Sequence, residues 1–261
     1  MRFVMNEKAY AESVLDNPRL KKVDGQTVTI LAKYFRAEGL GDTKIKTALE
    51  KFIGERDPIM LAKTRTGLIN KSVRLSKKPP LYDIKIVITK PEMEIINSLT
   101  CPPKCGFRAD TLRKLAFALL CFAKYEVAKG VKGGWTRTKK KFIFAAANIK
   151  TTVRKQSALL HQLAYCDPPL IELGKKIGYE GIRVLFQREG DDEVSVDNIN
   201  EAGLVFEELG GKRFVKCEAC GRRVRVTNGR SRFCKDCAVE RDRMLARERS
   251  RAKREKLKSA S

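Results

Sequence analysis

Histidine is almost missing from this chain, with one residue in 261. His161 has no base or acid partner near it in sequence, so it reads as a surface or half-buried polar group rather than a catalyst. No phosphate-binding glycine loop and no nucleophile motif occurs, and the chain is not expected to be an enzyme. No apolar run is long enough to span a bilayer, and no secretory signal pattern is present. These absences direct the chain to the cytoplasm and away from membranes. Acidic residues are scarce, 31 against 55 Lys and Arg, which gives a formal charge of +24 and a pI near 9.9. An excess of that size predicts attraction to a polyanion.

Cysteine is present in number, eight in all, and a cytoplasmic setting argues against a disulfide framework. Four of the eight form two half-sites, Cys217-x-x-Cys220-Gly221 and Phe233-Cys234-x-x-Cys237. Each pair can grip one edge of a tetrahedron, so together they predict one structural Zn2+ with no open position for a substrate. Gly221 suits the positive φ of a knuckle turn. Asn228-Gly229 is a hairpin signal, and Arg222 to Thr227 alternates like a strand. Hairpin, metal and helix make a zinc ribbon, flanked by Arg222, Arg223, Arg225, Arg230 and Arg232 as candidate nucleic-acid contacts. Cys101 and Cys105 are a third pair; without converging partners they read as thiols rather than a second metal site.

Charge and pattern divide the chain. The fold class expected is mainly α with small β elements (α+β). Residues 1–76 read as a helical region, with helices over Thr27–Ala37, Thr43–Ile53 (Thr43 its cap) and Ile59–Val73. Residues 77–108 form a strand–helix connector: Ile84 to Ile88 alternates, and Thr89, Pro91 and Glu92 open a helix. Residues 188–211 carry one Arg and eight acids and read as a solvated acidic linker. Residues 212–237 are the ribbon. Residues 238–261 form a basic helical arm or tail, too polar to pack on a core and without a coiled-coil seam.

Residues 109–187 carry the most information. An apolar helix over Thr111–Ala128 is followed by a Gly-rich loop with Trp135, which reads as the anchor of that loop. Then come a short helix over Lys140–Ala147, a turn at Asn148-Ile149, a helix over Lys150–Ala164 and two strands around Gly174–Gly178. That is the order of a winged helix-turn-helix. From 127 to 166 there are nine Lys and Arg and no acid. Arg137, Lys139, Lys140 and Lys141 are placed to meet a phosphate backbone. Lys150, Thr151, Thr152, Arg154, Lys155 and Gln156 crowd the start of the third helix, where a recognition helix reaches base edges, while Val153, Leu160 and Ala164 face inward. Lys175 and Lys176 tip the wing. The alternative is a winged helix that binds protein, its charge serving solubility.

The combination of Phe117–Tyr125, Gly134-Trp135, Ala147–Lys150, Gly210-Gly211 and the four-cysteine ribbon resembles a group of uncharacterised proteins from phages and prophages of Gram-positive bacteria. The resemblance covers most of the chain and implies a mobile-element setting in a bacterial cytoplasm. The expected partner is nucleic acid, DNA before RNA, and the expected role is control of transcription or replication. The rival is an adaptor or inhibitor that binds a host nucleic-acid enzyme, a ribonucleoprotein or structured RNA. An enzyme reading, a nuclease using Asp191, Asp192 and Glu193, ranks last because those acids lie in one loop.

Overall fold

Apolar residues at helical spacing build the N-terminal part. The computed structural model describes residues 3–16, 23–101, 106–174, 181–226 and 232–259, which cluster into two units, Met1–Ala202 and Gly203–Ser261. In the first, α1 (Glu7–Leu15), α2 (Gly25–Ala37), α3 (Asp42–Arg56) and α4 (Ala62–Leu75) share a core of Ala11, Val28, Leu31, Ile45, Leu49, Ile53, Ile69 and Val73. Burying each large aliphatic side chain contributes roughly 1.5–3 kcal/mol. Asn6 and Asp24 cap α1 and α2 through the backbone N–H of Ala9 and Thr27, each at 2.8 Å. Two expectations are corrected. α3 is preceded by Gly41 rather than capped by Thr43, and Ile59 is 90% exposed in the turn before α4.

The connector holds β1 (Ile86–Thr89) and α5 (Lys90–Ser98). The Glu92 carboxylate accepts the Thr89 N–H at 2.8 Å, as a capping box requires. It also accepts the Arg188 N–H at 3.0 Å and meets the Lys124 ammonium at 2.6 Å. This fully buried carboxylate therefore ties the start of α5 to α6 (Ala109–Ala128) and to the chain after the winged segment.

α6 is buried almost all round. After it come β2 (Trp135–Thr136), α7 (Lys140–Ala146), α8 (Val153–Ala164), β3 (Ile171–Leu173) and β4 (Ile182–Val184). The three strands form an antiparallel sheet in the order β2-β4-β3, the connectivity of a winged helix. Trp135 lies in strand β2 opposite Arg183, not in a loop. Gly134, at φ +71°, sits where a Cβ would lie 2.8 Å from the Val184 carbonyl oxygen, so only glycine lets β2 begin beside β4.

The acidic stretch is not a solvated linker. Its β5 (Asp192–Val196) pairs antiparallel with β1, with Ile86 opposite Val196 and Ile88 opposite Val194, and all four are buried. Val194 and Val196 face in, while Asp192, Glu193 and Ser195 are exposed. Phe3 packs edge-on against Phe122 at 4.9 Å between ring centroids, and the Tyr125 hydroxyl donates to the Val4 carbonyl. The N-terminal segment is thereby locked into the winged part.

The second unit contains most of α9 (Ala202–Leu209), the hairpin β6 (Phe214–Lys216) and β7 (Arg223–Arg225), and the long α10 (Lys235–Ser259). α10 is exposed from Val239 to Ala252. Among the described residues, no helix is long and apolar enough to cross a membrane.

Candidate metal centre and basic surface

The first cysteine pair is itself the turn of the β6–β7 hairpin. The Cys217 N–H donates to the Arg222 carbonyl at 2.8 Å, and the Gly221 N–H donates to the Cys217 carbonyl at 2.8 Å. Gly221 takes φ +70° to close this knuckle. The turn expected at Asn228-Gly229 falls outside the described residues, as does Arg230. The second pair straddles the start of α10, where the Ala238 N–H donates to the Cys234 carbonyl at 2.9 Å. Hairpin turn and helix start thus present two thiols each to one point.

All four sulfurs lie within 4.8 Å of one another, and Cys220 Sγ is 3.7 Å from Cys234 Sγ. Zinc–sulfur bonds of about 2.3 Å in a tetrahedron require sulfurs about 3.8 Å apart, so the spacing fits such an ion. The electrostatics point the same way. The Cys234 backbone N–H, 3.2 Å from Cys217 Sγ, is the main cause that pulls the Cys217 thiol down to about 6. Burial raises Cys220, and the neighbouring Cys234 thiol raises Cys237. One thiolate is favoured by the backbone, while more thiolates in one small volume repel until a cation neutralises them. The cluster can hold one metal ion, and among the described residues it is the one convergence of three or more such side chains. Cys101, expected as a free thiol, is disulfide-bonded, while Cys121 is fully buried in α6.

The candidate nucleic-acid residues are exposed to different degrees. Arg154 and Lys155 are exposed on the first turn of α8, where the Thr152 hydroxyl accepts the Lys155 N–H. Lys139, Lys141 and Lys150 are exposed, as is Arg137, while Lys140, Thr151 and Gln156 are half-buried. The Gln156 amide donates to the Thr151 carbonyl at 3.4 Å. Asn148 takes φ +51° at the turn between α7 and α8. Val153, expected to face inward, is 77% exposed, and Leu159, Leu160 and Leu163 form the buried face instead. The first turn of α8 projects beyond the core, so even its apolar residue meets solvent. Lys175 and Lys176 lie outside the described residues.

Three ribbon arginines are engaged locally. Arg222 pairs with Asp236 at 3.2 Å, Arg223 with Glu208 at 3.1 Å and Arg232 with Glu218 at 3.8 Å. The Arg222 and Arg232 pairs are exposed, worth about 0–1 kcal/mol and readily given up to a phosphate, whereas Arg223 is half-buried. Arg225 is exposed and makes no ion pair among the described residues. His161 is exposed and stacks on Tyr165, ring centroids 5.6 Å apart. Comparison of the chain with protein-family models, curated proteins and solved structures finds no match.

Proposed function

We propose that this is a non-enzymatic protein that binds double-stranded DNA and acts in control of transcription or replication, in the bacterial cytoplasm, within a phage-like element. The observation that carries the reading is the placement of Arg154 and Lys155. Both are exposed on the first turn of the third helix of a winged-helix topology, inside a forty-residue stretch with nine cations and no acid. Arg can pair with guanine O6 and N7, and the surrounding lysines with phosphates. Zinc in the four-thiolate cluster is structural in this reading. It holds the ribbon so that Arg225 and its neighbours add backbone contacts.

The test is selection of duplexes from a random pool by the zinc-loaded full chain, repeated with R154A/K155A. The expected result is a preferred sequence for the wild type and loss of that preference in the variant. No enrichment by the wild type, or the same preference in both, overturns the reading. One observation favours the adaptor alternative: Ile59 and Leu61 stand 90% and 75% exposed beside α4, an apolar tip of the kind protein partners cover. A protein partner captured from host lysate after nuclease treatment, and lost with I59S/L61S, would favour that alternative.

A further inference from the structure

The N-terminal bundle has a cationic face of its own. From residue 58 to residue 82 the chain carries six Lys and Arg and no acid, and most of that stretch is α4. Ile69, Ser72 and Val73 point α4 into the bundle. On the opposite face, at helical spacing, lie Lys63, Gly67, Asn70, Lys71 and Arg74, all exposed. Lys77 and Lys78 continue the exposed cations past the helix end. Lys63, Lys71, Arg74 and Lys78 have no ion-pair partner among the described residues, while the Asp42 carboxyl, held low mainly by Arg36, also feels the charge of the nearby Lys77.

Solubility alone does not account for this face. α3, packed beside α4, shows what a merely solvated helix of this protein looks like, because its exposed residues mix Asp42, Glu50 and Glu55 with Lys44, Lys46 and Lys51. α4 carries one sign only. Its centre is also bare. A Cβ on Gly67 would meet nothing within 4 Å, so no internal packing calls for glycine there. In a helix interior, glycine costs roughly 0.5–1 kcal/mol relative to alanine. A bare backbone flanked by three cations is what close approach of a sugar-phosphate strand uses.

We infer that the outward face of α4, with Lys63, Lys71 and Arg74 around Gly67, is a second DNA-backbone contact surface, separate from α8 and blind to sequence. It extends the reading of the chain as a DNA-binding protein but stands on its own residues. Lys63 and Arg74 are eleven residues apart, about 16 Å along the helix axis, a span that covers several phosphates of a duplex carrying one charge per roughly 1.7 Å.

The test measures duplex affinity of the zinc-loaded full chain across a salt series, for the wild type, K63Q/K71Q/R74Q, G67A and R154A/K155A. The triple variant changes only exposed side chains and is expected to keep its fold. Its slope of log affinity against log salt should become shallower by about 2–3, equally on selected and random duplexes. G67A should melt higher and yet bind several-fold more weakly. An unchanged slope in the triple variant overturns the inference, including when that variant loses a nuclease-resistant protein partner instead. If R154A/K155A alters binding and the α4 variants do not, this inference fails and the α8 reading stands. The reverse result removes the α8 reading and leaves this one.

Discussion

α6 and the ribbon hairpin are both followed by strongly basic sequence, yet they are held by opposite means. Along α6, Leu115 to Ala123 are without exception fully buried. In the second unit, past Leu209, Cys217 is the one buried residue among those described. A helix that buries every side of itself is stabilised by apolar area, at about 25 cal/mol per Å2. A hairpin of three-residue strands has no such area, and its fold must come from the sulfur cluster. The comparison teaches that the chain's positive charge is carried on two scaffolds with separate failure modes, one answering to packing and the other to metal.

Removing metal should separate them most sharply. Structural zinc contributes about 10–16 kcal/mol of apparent binding energy in small fingers. A chelator, or C234S, should therefore abolish hydrogen-exchange protection of the β6–β7 amides while leaving α6 amides protected. Loss of protection in both units together would break the comparison. The converse experiment is Phe122→Ala, at a fully buried ring. It should lower the urea-unfolding free energy of the first unit by about 3–5 kcal/mol, with no zinc released on titration with a colorimetric chelator. Lys124→Met should cost about 3 kcal/mol in the same assay, because it strands the buried Glu92 carboxylate, and Lys124 itself keeps some solvent. Thr152→Ala removes the cap of α8. It should lower stability by only about 1 kcal/mol, read by the same urea curve.

How far the sequence shows this in advance depends on whether the information is local. The apolar period of α6, the capping signals at Thr89 and Glu92, and the two cysteine pairs each lie within one short window, and each corresponds to what the structure contains. Pairing of β5 with β1 joins residues about a hundred apart. No local pattern specifies it, and the exposed acids of β5 give it the look of a solvated linker. The knuckle that joins β6 to β7 is local by contrast: Gly221 directly after Cys220 signals the positive φ that the turn takes, while the Asn228-Gly229 signal lies outside the described residues. Val153 looks apolar and inward by spacing, but the first turn of α8 has no core beneath it. The acid-free stretch on α4 was open to the same counting that marks residues 127–166. Only the exposure of its cations shows that they share one face.

The account rests on exposed cations of the winged segment meeting a DNA duplex. Fluorescence anisotropy of a labelled duplex, titrated with the zinc-loaded full chain from low to physiological salt, tests this most directly. The predicted result is affinity that falls steeply with salt, with a slope that R154A/K155A makes shallower by about 2. Binding that is absent at low salt, or that does not respond to salt, contradicts the account.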